Sequence, residues 1–436
     1  MIVCKFGGTS VADAACVARV CDLAAARRPE GCLVVVSAMA RVTRRLLALG
    51  RLAEAGELPA ARRQLGELFA QHREVAAEVA DAARRAALDD PFAAEEKELG
   101  VLLAGIRRAG RLRPVASDRL LAAGELLSSR ILAAALASRE QPVAWIDPRE
   151  LVATDERFGE ARPDQPRTAA ACERHARAHL AARRLVVTGG FVGVTRRGDT
   201  TTLGWDGSDT SAALLAAALG AELLEVFKDV DGVYTADPRS VPGARLVPHL
   251  SYREAAELTL LGAQVLHYAT IPLAARAGTA VRVRNTFRPE APGTLIRGVA
   301  GVPAVRGLAA AGPMSATRLP GRYPCHGLNG GSSWPSQARR LQSLTATKAG
   351  APAGEALTWN GDAGERVALL SLVGASAADV AERAAAALAG RGALHAAGSR
   401  CDTHLSVLVP LAEAPAVLAD LHQAFFSGPE SSAEGC

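Results

Sequence analysis

Aromatic side chains make up only 4% of this 436-residue chain, and lysine is scarcer still: Lys5, Lys97, Lys228 and Lys348 stand among 50 basic residues. With 49% hydrophobic content carried by small aliphatics, the composition suits α/β layers better than an aromatic-rich β-sandwich, and the length allows roughly two or three domains. Basic runs interleaved with aromatics are missing and the formal net charge of +5 is spread along the chain, which argues against a nucleic-acid partner. No apolar stretch is read as long enough to span a membrane, and MIVCKFGG is too short for a signal peptide. The cysteines at 4, 16, 21, 32, 172, 325, 401 and 436 include no CxxC pair. They read as reduced core or surface thiols in a cytoplasmic protein, neither a disulfide framework nor a zinc site. GxxxxGK[ST] and GxGxxG are both absent, which excludes a Walker A loop and weakens a dinucleotide-oxidoreductase reading. The lysine shortage is itself informative. Where arginine has replaced nearly every lysine, a retained one marks a place for a compact ammonium; Lys5 and Lys228 sit in glycine-containing motifs, Lys97 and Lys348 in ordinary surface sequence.

What is present is a strand–turn–helix rhythm. Residues 1–8 read as a buried strand closed by a Gly pair, with a helix following from Thr9 or Ser10 to about Ala26. The apolar run 32–36 ends in Ser37-Ala38-Met39 and leads to a helix near Thr43, so two strand–loop–helix units mark a parallel sheet with crossover helices. Residues 51–112 read as a helical excursion with no turn before Asp90-Pro91. A helix over 117–137 carries Gly124-Glu125, a strand is expected at 142–146, and the polar segment 154–167 reads as a loop over an active site. Further strands are expected at 184–188, 223–227 and 280–284 and a helix at 251–266, with the first domain ending near Gly298. Residues 309–358, rich in Gly, Pro and Ser, show no sustained period and are poor core material. Residues 365–426 recover a β-α-β-β-α order resembling a small ferredoxin-like regulatory module. The expected division is 1–298, a poorly ordered linker or degenerate segment over 299–364, and 365–436.

Two stretches carry the chemistry. Residues 200–219, TTTLGWDGSDTSAALLAAAL, tighten through Gly204 and Gly207 into an apolar helix with Ser208 or Asp209 as N-cap. Such a junction offers unpaired N–H groups and a positive dipole end to an anion, although a plain strand–turn–helix junction looks alike. Lys5-Phe6-Gly7-Gly8-Thr9-Ser10 puts a lysine at a strand end before two glycines, where the backbone can approach a phosphate and the ammonium can neutralise a transferring phosphoryl group. The alternative is a βα turn with a surface lysine.

KFGGTS, VVVSAMARVT, TTTLG…GSDTSAA and KDVDGVYTADPR, followed by AELTLLGAQVLHYAT and VRVRNTFRPEAPGTLI, together resemble the amino acid kinase family, and within it the aspartate kinases, over about residues 1–298. The resemblance implies an α/β fold, the three-layer amino acid kinase sheet flanked by helices, followed by a ferredoxin-like ACT-type α+β region. It implies an enzyme that makes 4-phospho-L-aspartate and ADP from L-aspartate and ATP, the first step towards lysine, threonine and methionine. It implies ATP with Mg²⁺, although no metal-ligand cluster in the chain identifies the ion's site. Partners implied are L-aspartate, a lysine or threonine effector and a second copy in a homodimer or larger assembly, with no nucleic acid and no membrane. Carried over by motif, Lys5, Gly7 and Gly8 hold phosphates, Lys5 stabilises the transition state, and Asp209 orients the lysine. Lys228, Asp229, Tyr234, Arg239 and Gln264 fall where the family binds nucleotide. Ser37, Thr43 and Glu125 fall where it holds the amino acid, with Gly207 and Ser208 at the same junction; Arg157-Phe158-Gly159 matches a loop near the substrate. Glu125 is the partner for an α-ammonium or a solvated helix residue; Tyr234 contacts nucleotide or merely packs. No protein base is needed, because the attacking carboxylate is already ionised at neutral pH. Alignment and electrostatic stabilisation supply the catalysis.

Departures from the family concentrate at one place. LGRGGSD is here Leu203-Gly204-Trp205-Asp206-Gly207-Ser208-Asp209. The family's Arg is expected to grip the substrate α-carboxylate bidentately. Trp205 cannot, and Asp206 adds a negative charge, for an expected loss of about 2–5 kcal/mol. Gln264 stands where many relatives have Lys, and Tyr268 replaces a usual Pro. In the tail, one ACT-like unit is read where aspartate kinases generally carry two, so 309–358 is either degenerate or frame-shifted. The alternatives to aspartate phosphorylation are a kinase of this fold acting on another carboxylate and a weakly active ATP-binding regulatory homologue.

Overall fold

The computed structural model describes residues 1–204, 206–260, 266–267, 269–298, 307–316, 325–327, 366–374, 377–389, 395–398 and 404–426. They fall into two units, Met1–Asp231 with Ala269–Arg297 and Gly232–Tyr268 with Gly298–Cys436. The first unit ends at Arg297, and residues 232–268 group with the second.

In the first unit the strands are β1 (Ile2–Phe6), β2 (Cys32–Val36), β3 (Val143–Trp145), β4 (Leu185–Gly189), β5 (Val192–Val194), β6 (Thr200–Thr202), β7 (Leu223–Lys228), β8 (Ala280–Asn285) and β9 (Thr294–Arg297). Its helices are α1 (Ala14–Arg27), α2 (Val42–Glu54), α3 (Leu58–Val79), α4 (Ala82–Ala109), α5 (Pro114–Ser138), α6 (Pro148–Leu151), α7 (Gln165–His175), α8 (Arg177–Ala181), α9 (Gly207–Leu219) and α10 (Thr270–Ala277). The sheet runs β3-β4-β2-β1-β7-β8-β9, parallel except for the antiparallel β8–β9 pair, and β5–β6 form a separate hairpin. β1, β2 and β4 are buried at every residue, as expected of parallel strands covered on both faces. That makes Lys5 in β1 and Glu225 in β7 exceptions needing partners. Glu225 has them: Arg27 Nε lies 2.6 Å and Arg284 Nη1 3.3 Å from its carboxylate.

The helical excursion has different turns from those read. Asp90-Pro91 does not turn: Pro91 lies inside α4, where Leu88, Phe92 and Leu99 are buried and the Phe69–Phe92 rings meet edge to face at 6.3 Å. Packing there outweighs the lost ladder bond. The chain reverses instead at Gly56, with φ +91°, and at Asp81, whose carboxylate caps α4 by accepting from Arg84 N at 2.9 Å. α5 also corrects an expectation. By length and composition alone it is apolar enough to cross a membrane, but most of it is buried inside the fold.

His72 in α3 is fully buried, with Nδ1 2.7 Å from Leu68 O and no hydrogen-bond partner for Nε2. Burial pulls its pKa down to about 4. The unfolded chain therefore binds the extra proton first, and stability falls as pH drops from 6.5 towards 4. Urea melts should show this group costing about 2 kcal/mol between pH 7 and pH 5, a slope that His72→Leu removes.

The second unit is built on an antiparallel sheet in the order Cys325–Gly327, Gly307–Ala316, Arg366–Val373, His404–Pro410, His395–Gly398. Ala368, Leu370, Leu372 and Leu405, Val407, Val409 alternate inward and pack with Ala384 and Leu388 near helix Ala377–Ala387 and Val417, Leu418 and Leu421 of helix Ala414–Phe426. Strand Gly307–Ala316 departs from the expectation for 309–358, because GLAAAGPMSA has no β-branched alternation to mark it. Its ladder slips between Ala311 and Met314, around Gly312-Pro313, where a residue without an N–H is tolerated. The rest of 309–358 lies outside the described residues apart from Cys325–Gly327.

Candidate active site

Lys5, Ser37, Gly190 and Lys228 sit at the carboxyl ends of β1, β2, β4 and β7, the place where parallel α/β sheets open a crevice. Backbone bonds hold the strand exits in step: Gly7 N donates to Phe227 O (3.3 Å), Ser37 N to Phe6 O (3.1 Å) and Gly190 N to Val36 O (2.9 Å).

Lys5 is no surface residue; it is 6% exposed. Its Nζ lies 2.6 Å from Asp209 Oδ1, and Lys228 Nζ lies 3.1 Å from Asp209 Oδ2. Burial raises the Asp209 pKa, but the two ammonium groups more than offset it and hold the carboxyl well below the usual range. One buried carboxylate thus separates two cations. The arrangement has the net positive charge that a polyphosphate would need.

Four glycines admit the close approaches around this centre. A Cβ on Gly8 would lie 2.8 Å from Ala38 O, and one on Gly190 2.7 Å from Ser208 Cβ. One on Gly189 would meet Glu125 Cβ at 3.1 Å, and one on Gly124 would meet Ala38 Cβ at 2.7 Å. Glu125 is accordingly 3% exposed, and its Oε2 has no hydrogen-bond partner. Burial pushes its pKa up to about 8, against the smaller downward pulls of the Ala38 N–H and the Lys5 charge. A carboxyl group in that state accepts a proton or an ammonium readily. Ser37 O accepts from Ser128 Oγ at 2.8 Å, and Thr43 is half-buried in the first turn of α2.

The start of α9 differs from the reading. The N-cap is Asp206, left-handed at φ +58° with no side-chain cap bond, so Ser208 and Asp209 belong to the first helical turn. The Gly that the family pattern places at this position is the residue such a φ favours. Gly207 must also be glycine, since a Cβ would come within 2.9 Å of Leu203 Cβ.

Other expected residues lie beyond β7, in the second unit or outside the described residues. Asp229 is exposed just beyond β7. Tyr234 and Arg239 belong to the second unit, where Tyr234 bridges to Leu246 and exposed Arg239 pairs with Asp237 at 2.8 Å. Gln264 and Trp205 lie outside the described residues. Arg157 is largely exposed beside Asp155.

Two further features have little signal in the sequence. Phe191 holds φ +64°, an outlier for a bulky residue, fixed by its N–H to Ser211 Oγ (2.8 Å) and its C=O to Leu203 N (2.9 Å). Asp118, 1% exposed, accepts three hydrogen bonds from segments far away in the chain. Its only sequence signal is a spacing of seven residues from Glu125, two turns along the same helix face.

Residues 1–285 match the model of the amino acid kinase family. The chain is 36% identical over 301 residues to the lysine-sensitive aspartokinase 3 of Escherichia coli (strain K12), covering 68% of this chain and 64% of that protein's length. Among solved structures it resembles E. coli aspartokinase III in complex with aspartate and ADP (R-state), with a TM-score of 0.79, 27% identity, and coverage of 98% of this chain and 100% of that one. It resembles the same enzyme in complex with lysine and aspartate (T-state) with a TM-score of 0.76 and 27% identity, covering 98% of this chain and 99% of that one. With its strand-end lysines, glycine turns and family match over most of the length, the chain belongs to the amino acid kinase family.

Proposed function

We propose that the chain is an aspartate kinase, transferring the γ-phosphoryl group of ATP to the β-carboxylate of L-aspartate to give 4-phospho-L-aspartate and ADP. The observation that carries the reading is the Lys5–Asp209–Lys228 cluster at the strand ends, with Lys5 and Asp209 buried. A β-carboxylate oxygen attacks Pγ, the bond from Pγ to the β,γ-bridging oxygen breaks, and its electron pair leaves with ADP. Charge spreads over the transferring phosphoryl oxygens, where fixed ammonium groups stabilise it. Lys5 and Lys228 are those groups. Asp209, itself repelled by phosphate, keeps them in place. Glu125 supplies the partner for the substrate's α-ammonium, which satisfies its idle Oε2. Aspartate is also what the R-state relative is recorded with.

Gly7, Gly8, Gly207 and Ser208 line the phosphate and acceptor junction, with Ser37 and Thr43 on the amino acid and Asp229, Tyr234, Arg239 and Gln264 on the nucleotide. Mg²⁺ accompanies the triphosphate. Among the described residues no group of three or more His, Cys, Asp or Glu could hold a metal. The division into a catalytic part (1–298), a linker (299–364) and an ACT-type module (365–436), an amino-acid effector such as lysine or threonine, a homodimer and a cytoplasmic location complete the proposal.

A second reading, another carboxylate as acceptor, is favoured by Trp205-Asp206 in place of the family's Arg-Gly. A hydroxylamine trap for acyl phosphate, with MgATP and aspartate, N-acetylglutamate or glutamate, separates them: hydroxamate from aspartate alone supports the first, from another acid alone the second. Retained ATP binding with no hydroxamate from any acid rejects both. If aspartate is the acceptor, Trp205→Arg with Asp206→Gly should lower the aspartate KM about 30-fold or more. An unchanged KM in the double variant would count against aspartate.

A further inference from the structure

Asp118 lies on α5 two turns before Glu125, with both residues on one helix face and both buried. Its Oδ2 accepts from Gly159 N and Thr202 N, each at 2.9 Å, and its Oδ1 accepts from Thr202 Oγ1 at 2.9 Å. All three donors are neutral. Gly159 belongs to the loop that carries Arg157 and Phe158, and it sits at φ +90°. Thr202 ends β6, four residues before Asp206 at the start of α9. The same two segments also touch directly: Ala161 N donates to Thr202 O at 2.9 Å, and a Cβ on Gly204 would lie 3.5 Å from Gly159 O.

We propose that Asp118 is a positioning residue that sets acceptor specificity, by locking the loop around Gly159 and the turn after Thr202 to the helix that presents Glu125. The inference rests on the carboxylate-kinase reading above. Asp118 touches neither phosphate nor acceptor; it decides where the two segments beside the acceptor stand. The lysine cluster is held by Asp209 independently, so nucleotide binding lies outside its reach.

The decisive comparison is between Asp118→Ala and Asp118→Asn. Alanine leaves the Gly159 and Thr202 amides without an acceptor. Asparagine keeps all three bonds, its carbonyl accepting both amides and its NH₂ donating to Thr202 Oγ1. The alanine variant should raise the aspartate KM about ten- to a hundredfold, with kcat and the ATP Kd changed far less. The asparagine variant should restore most of the KM. Amide exchange at 155–162 and 200–204 should accelerate in the alanine variant and return to the wild-type rate in the asparagine variant. An unchanged KM in Asp118→Ala, an equal fall in kcat and ATP affinity, or asparagine behaving like alanine each overturns the proposal. Wild-type protein that makes hydroxamate from none of the acids overturns the functional reading instead, and amide exchange still decides whether Asp118 is the anchor.

Discussion

Asp209→Asn is expected to lower kcat for acyl-phosphate formation by about a hundredfold or more, because a displacement of about 1 Å in a charge-stabilising group is enough for that loss. The wild-type carboxylate, itself buried, accepts from two lysines at 2.6 and 3.1 Å. Asparagine removes the charge and leaves two ammonium groups facing each other across a neutral amide. Breaking a buried ion pair from one side costs about 3–5 kcal/mol of stability. Bound triphosphate restores opposing charge, so ATP should raise the Tm of the variant by more than it raises that of the wild type. Thermal melts with and without nucleotide, beside kcat, make the check. Equal ATP-induced shifts in the two proteins would show that the lysines do not face the phosphates.

Glu125→Gln carries the second large effect. With its pKa pushed up to about 8 by burial, Glu125 is mostly protonated at neutral pH before substrate arrives. Binding an ammonium requires the carboxylate, so the aspartate KM should fall as pH rises and level off above pH 8, by about tenfold per pH unit below it. Glutamine should raise the KM and abolish the pH dependence. A wild-type KM that is flat between pH 6 and pH 8 would rule out Glu125 as the ammonium partner. Stability moves the other way. Between the unfolded and folded pKa values the native state binds the extra proton, so this contribution is fully present below the unfolded value and is lost as pH climbs to about 8. From pH 5 to pH 7 that loss is about 2 kcal/mol, opposite in sign to the gain from His72 over the same interval. The wild-type pH–stability curve should therefore look flatter than that of either single variant.

Local rules made much of the fold legible. Cys32–Val36 and Arg366–Val373 are continuous or alternating apolar runs bounded by polar residues, and they form strands over those bounds. Lys5 stood out because lysine is rare and the next residues are Phe6-Gly7-Gly8. Local rules failed where packing overrode them. Pro91 stays helical under the burial of Phe92, and Gly307–Ala316 forms a strand with no β-branched residue because neighbouring strands supply its ladder. The hydropathy of α5 was equally ambiguous in one dimension, since a buried core helix and a membrane span have the same composition.

By itself, the sequence determined the α/β class, the family, the glycine turns and the identity of the charged residues, all properties of short windows or ordered motifs. Only the tertiary structure decided which neighbours those charges meet. Asp209 meets Lys5 from more than 200 residues away, Glu125 loses its water beneath Gly189, and Asp118 finds donors 41 and 84 residues along the chain. Charge strength in a protein depends on desolvation and on the neighbours within a few ångströms. At the strand ends those neighbours come from β1, α5, β4, α9 and β7, and chain folding alone brings them together.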